Sequence, residues 1–164
     1  MSDNESKTQD LEQVMVTDDK TKKLAETKKM NESANLWKAK VKTLTEKLKG
    51  DIKYASDIQA EAISFRQDVV DEVKVYAVKI HKLMQKMKVL EKQRFEFYAL
   101  SYQVKTSGSE KVKLINADLA AYQEFIDEMD EHVNLLRDTS KNLESINYAV
   151  KSKIELANIL GGYR

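Results

Sequence analysis

Residues 89–102 read VLEKQRFEFYALSY, and two cations in this stretch stand directly before a run of aromatics. Lys92 and Arg94 are followed by Phe95, Phe97, Tyr98 and Tyr102. Cations in such a stretch neutralise phosphates without reading base sequence. Flexible single strands expose base faces, on which Phe and Tyr stack for about 1–3 kcal/mol each. The chemistry on offer is therefore the holding of a polyanion by charge and stacking. Lys79, Lys82 and Lys86 share one helix flank, as do Lys88 and Lys92, and they extend the basic surface. The same residues also suit a plainer arrangement, with the aromatics filling a core and the lysines solvated. Composition alone favours the plainer one.

Catalysis finds little support. His81 and His132 lie far apart in the sequence, next to Lys82 and Glu131, and neither belongs to a triad-like cluster. The group Asp127, Glu128, Asp130, Glu131 and His132 lacks the paired Glu-x-x-His pattern of di-metal bundles. It reads as a solvated acidic face. The stretch SGSEK lacks the Gly-x4-Gly-Lys-Ser/Thr spacing of a phosphate-cradling loop. There is no cysteine, hence no disulfide and no Cys-bound metal. No catalytic residue, metal site or cofactor is expected.

The elements that must carry the basic stretch are helices. The chain of 164 residues has no proline, four glycines and 34% charged residues, the composition of long, solvated, amphipathic helices. The opening MSDNESKTQD has no apolar core, so no signal peptide is read there. No apolar run approaches the roughly 20 residues that span a bilayer. A soluble intracellular protein, cytoplasmic in location, is expected. The net charge of +1 conceals separated blocks. Residues 1–19 hold six acids against Lys7, a net of −5. Residues 74–94 hold seven bases against Glu91, a net of +6. Residues 117–144 hold eight acids against Arg137 and Lys141, a net of −6. A lipid-surface role is disfavoured by the acidic second arm.

Residues 1–34 are expected to be a polar N-terminal extension, disordered or weakly helical. The domain proper is expected over 35–164. A helical period starts at Trp37, Val41, Leu44 and Leu48, and Gly50-Asp51 is a candidate break. A first arm to about residue 104 carries Ile58, Ala62, Phe65, Val69, Val73, Tyr76, Ile80, Leu83, Met87 and Leu90 in steps of three and four. Arg94 falls at the next position. A loop is expected over 105–116, then a second arm over 117–160. Its apolar positions include Tyr122, Ile126, Met129, Val133, Leu136, Leu143, Ile146, Val150 and Ile154. The fold class is all-α, a long helical hairpin with coiled-coil-like seams.

The stretch KQRFEFY, Lys92 to Tyr98, resembles a motif of the phage recombination mediator proteins of the UvsY family: Lys-x-Arg, large apolar, acid, aromatic, Tyr. The second arm, INADLAAYQEFIDEMDEHVNLLRDTSKNLESINYAVKSKIELANILGG, is similar to the family in its Ala-Asp opening, mid-helix Leu-Leu and Leu-acid-x-Ile step. The resemblance covers roughly residues 35–164. It departs from the family in three places: residues 1–34 stand outside it, the loop at 99–116 is shorter than in the best-known member, and the family's first-arm tryptophan has no counterpart near residue 69. The resemblance implies a non-enzymatic, DNA-binding protein that assembles into a ring, commonly a heptamer. Such a protein binds single-stranded DNA and loads a RecA-like recombinase against competition from a single-strand-binding protein. The setting it implies is DNA recombination, replication and repair, in the host cell cytoplasm if the chain is phage-encoded. The resemblance makes Lys92 and Arg94 the DNA contacts, with Lys79, Lys82, Lys86, Lys88, Phe97 and Tyr98 as the surrounding surface. The apolar positions of the second arm, Tyr122 to Ile154, become the homo-oligomer contacts. The acidic block at 124–131 is expected to fix pairing register, with recombinase docking as the alternative. A coiled-coil scaffold or adaptor without a nucleic-acid role is the alternative to the whole reading.

Overall fold

The computed structural model describes the backbone of residues 3–102, 104 and 106–161, with side chains from residue 21 onward. Three long helices follow one another: α1 (Asp3–Leu48), α2 (Ala55–Leu100) and α3 (Gly108–Gly161). No strand occurs among the described residues, so the all-α expectation stands. At 1.5 Å per residue, α2 is about 70 Å long. No helix of the described residues is long and apolar enough to cross a membrane.

The breaks follow from local chemistry. After α1, Gly50 N–H donates to the Lys47 carbonyl at 3.0 Å. Asp51 then takes an extended conformation and accepts the Lys53 N–H at 3.2 Å, opening a short 3-10 turn (Ile52–Tyr54). The break expected at Gly50-Asp51 is therefore present. Lys153 of α3 reaches back to the Leu48 carbonyl at 3.0 Å and the Gly50 carbonyl at 2.6 Å. A cation thus satisfies backbone oxygens that a helix C-terminus leaves without partners.

At the other end, the Ser101 and Tyr102 N–H groups both donate to the Phe97 carbonyl and close α2. α3 then begins at Gly108, well before the start expected at 117. The cause is a capping box at Ser107-Gly108-Ser109-Glu110. Glu110 N–H donates to Ser107 Oγ at 3.3 Å, and Ser107 N–H donates to Glu110 Oε2 at 2.7 Å. That backbone hydrogen bond, then the one to the Ser107 side chain, holds the Glu110 carboxyl below its ordinary value.

α2 and α3 form the hairpin. Gln59 meets Asn147, Arg66 meets Glu144, Tyr76 meets His132 and Tyr98 meets Asp118, an antiparallel order. α1 lies against this pair, antiparallel to α2 and parallel to α3. Lys47 pairs with Glu61 and Glu26 with Lys79 on α2, while Lys23 pairs with Glu128 on α3. The α1 part of the core is Met30, Trp37 and Leu44. Residue 34 marks no boundary in α1: Met30 is buried, and Ser33 bonds to α2. The polar look of 23–33 arises because only one stripe of it meets the hairpin.

The apolar positions of the second arm belong to this intramolecular core. Ile126, Met129, Val133, Leu136, Leu143, Ile146 and Val150 are buried against α2 and α1, and Ile154 packs beside them. Tyr122 is half-buried. These positions, expected to hold a homo-oligomer together, are occupied within the chain. A partner helix was needed for the stripe, and α1 with α2 supplies it.

Candidate nucleic-acid interface

The core thins toward the hairpin tip. On α2 the last buried residue is Ile80, and beyond it Leu83, Met87 and Leu90 are only half-covered. Ile115 and Leu119 of α3 are buried there. This distal half of α2 carries the basic stretch.

The structure divides the expected cations into two sets. Lys79 is held by the Glu26 carboxylate of α1 and lies over the Tyr76 ring at 4.5 Å, so it is part of the packing. Lys86 sits over the Tyr122 ring of α3 at 5.1 Å. Arg94 turns to α3, its Nε 3.4 Å from Asp118 Oδ2. That pairing explains a cation at the end of an apolar stripe. The opposite set faces outward. Lys82, Lys88 and Lys92 are exposed. Lys92 keeps a 4.0 Å pairing with Glu96, one helical turn on. Lys88 and Lys92, with Phe95, line a shallow depression against Val112, Ile115 and Asn116 of α3.

Lys92 and Arg94 therefore do not share a face. Residues two apart on a helix point in different directions, so a strand touching both must cross the helix or engage them from two sides. The aromatics are also divided. Tyr98 OH donates to Asp118 Oδ2 at 2.8 Å, which raises the Tyr98 pKa above its ordinary 10.0. Phe97, Tyr98 and Tyr102 pack on one another with ring centroids 5.1–6.1 Å apart. Edge-to-face rings of this kind stabilise each other. Even so, Phe95 is 56% exposed, Phe97 42% and Leu100 85%. Phe95, beside Lys88 and Lys92, is the ring best placed to receive a base. Sequence reasoning left it off the candidate surface. Its spacing of three from Lys92 and seven from Lys88 was the available clue.

A second polar centre lies at the middle of the bundle. Glu72 of α2 accepts from Ser33 Oγ at 2.5 Å and from Trp37 Nε1 at 2.7 Å, both on α1. His132 Nε2 of α3 stands 3.5 Å from the same carboxylate. The His132 ring is buried and meets the Tyr76 ring edge-on at 4.7 Å. Burial first, then the charges of Glu26 and Glu72, push the Tyr76 hydroxyl up to about 12. His132 thus points inward, whereas Asp127, Asp130 and Glu131 are exposed. The described residues hold no cluster of three or more carboxylates or histidines suited to a metal ion. This centre joins three helices.

No family model, no curated protein and no solved structure matches this chain.

Proposed function

We propose that this chain is a recombination mediator. It holds single-stranded DNA on the distal half of α2 and promotes loading of a RecA-like recombinase in competition with a single-strand-binding protein. The work is differential binding, with no covalent step. The observation that carries this reading is the exposed Phe95 beside the exposed Lys88 and Lys92. That arrangement offers phosphate neutralisation and base stacking on one strip of helix. The resemblance of KQRFEFY and of the second arm to the UvsY family supplies the biological setting. A ring, of seven subunits as in that family, repeats a modest basic strip many times, and linked weak sites bind firmly.

A second reading, a helical scaffold without a nucleic-acid role, draws on the internal pairing of Lys79 and Arg94 and on the mutual packing of Phe97, Tyr98 and Tyr102. The two readings part in a salt-titrated binding isotherm on labelled single-stranded DNA. A chain carrying Lys92→Ala with Arg94→Ala is expected to bind about tenfold or more weaker. Its salt slope falls by about 1.4, the release expected for two phosphates at roughly 0.7 each. An unchanged affinity and slope would remove these two residues from the interface and favour the scaffold.

A further inference from the structure

We infer that the single strand runs on from Phe95 along the side of the hairpin turned away from α1, to a second subsite at the far end. There Tyr148 takes a base, and Lys151 and Arg66 take the phosphates beside it. The inference rests on the DNA reading above for the identity of the strand.

A row of side chains joins the two places. Gln67, Lys74, His81, Lys88 and Phe95 follow one another at seven-residue steps along α2, and all of them are exposed. Seven residues make nearly two turns, so such a row stays on one side of a helix. Both ends of the row border α3. Lys88 and Phe95 line the depression against Val112 and Asn116. Gln67 lines a second groove, with Arg66 of α2 and with Tyr148 and Lys151 of α3. Among the described residues, none from α1 lines either groove. α1 meets α2 through Glu72 and Lys79 instead. Each of these stands five residues on from a member of the row, which is about 140° around the helix. The row itself holds hydrogen-bond donors, two lysines and a ring, and no carboxylate.

The far groove repeats the chemistry of the near one. Tyr148 is 61% exposed, and Lys151 Nζ stands 5.8 Å from its ring centroid. An exposed ring beside a cation is what Phe95 offers with Lys88 and Lys92. Arg66 lies across the groove, half-exposed and 3.5 Å from Glu144. Exposed pairs of this kind hold weakly, so a phosphate can take the guanidinium from Glu144 by a charge-assisted contact of its own. The acids nearby set the path between the two ends. Asp71 keeps Lys74 at 2.8 Å. Asp127 and Asp130 of α3 are exposed. In the antiparallel register that brings Tyr76 to His132 they stand level with Val78 to His81. The strand therefore keeps to α2 at mid-length. From residue 67 to residue 95 the rise is about 42 Å. That spans about 12 nucleotides at the stacked spacing of 3.4 Å, and fewer when the strand is stretched. A short oligonucleotide fills one subsite, and a longer one fills both.

The test uses the full-length chain and two full-length variants, Tyr148→Ala with Lys151→Ala, and Tyr148→Phe alone. Each is titrated with fluorescein-labelled oligo-dT of about 5 and about 20 nucleotides, shorter and longer than the span. The double variant is expected to bind the longer strand about tenfold more weakly, as the loss of a stacked base predicts. Its salt slope falls by roughly 0.7, for the phosphate that Lys151 no longer holds. Its loss on the shorter strand is smaller. Tyr148→Phe keeps the ring and is expected to keep parental affinity. A long strand with 5-iododeoxyuridine at both ends, irradiated on the parent chain, is expected to crosslink to peptides holding Phe95 and Tyr148. Parental binding by the double variant, with no crosslink at Tyr148, would overturn the inference and leave the DNA reading intact. A loss in Tyr148→Phe as large as in the double variant would remove the base from that ring. Failure of the parent chain to bind either strand would overturn the DNA reading and the second subsite with it.

Discussion

At the scale of single residues, Glu72 does the most. One carboxylate holds Ser33 and Trp37 of α1 and faces His132 of α3. Removing it leaves those polar groups without their acceptor in a closely packed place, and an unsatisfied polar group is what makes such a loss expensive. Glu72→Ala is expected to destabilise the fold by about 1–3 kcal/mol in chemical denaturation. Trp37 is the sole tryptophan and is buried, so its emission reports the same event by shifting to longer wavelength. An unchanged midpoint and spectrum would mean that packing alone seats α1. None of this convergence was legible in the sequence. Ser33, Trp37, Glu72 and His132 lie up to 99 residues apart, and no periodicity links them. The one local clue was His132, three residues after Met129 on the inner stripe of α3.

At the scale of elements, the sequence spoke more clearly. Steps of three and four in apolar residues identified α2 and the later part of α3, and Gly50-Asp51 identified the break before α2. The start of α3 was misplaced by nine residues because Ser, Gly and charge at 105–111 resemble loop composition. The Ser107-x-x-Glu110 spacing carried the contrary information, and backbone capping outweighed composition. Ser107→Ala is expected to lower stability by about 0.5–2 kcal/mol and to fray the first turn of α3, read by amide hydrogen exchange at 108–112. Glu110 adds a pH dependence of known sign. Its folded pKa lies below the ordinary 4.5, so its contribution is present above that value and is lost as pH falls through the depressed one. Acid should therefore loosen this turn in the parent chain and do less in Glu110→Gln. Protection that is equal in both chains across that window would contradict the capping account.

At the scale of the whole molecule, the stripe on α3 that looked available to other subunits closes the chain's own core. The proposed ring would draw on residues exposed elsewhere. Leu156, Ile159 and Leu160 occupy one side of the last turns of α3, beyond the point where Lys153 meets the end of α1. Exposed apolar residues grouped in this way are the contact we propose for the ring. Leu156→Asp with Leu160→Asp is expected to reduce the solution mass toward that of one chain, by light scattering, while helical circular dichroism is retained. An undiminished oligomer would move the contact to another surface. The Lys153 clasp has a mechanical consequence as well. At the C-terminal end of α1 it holds the Leu48 and Gly50 carbonyls, whereas nearer the start of α1 the ties are part-exposed ion pairs, Lys23 with Glu128 and Glu26 with Lys79, which contribute less each. A rod held more firmly at one end peels from the other. Detachment of α1 is thus a directional unzipping that passes Met30 and Trp37 and reaches Leu44 last. Segments that open first are the least protected, so the molecule has a built-in order of release, with the knot at its far end.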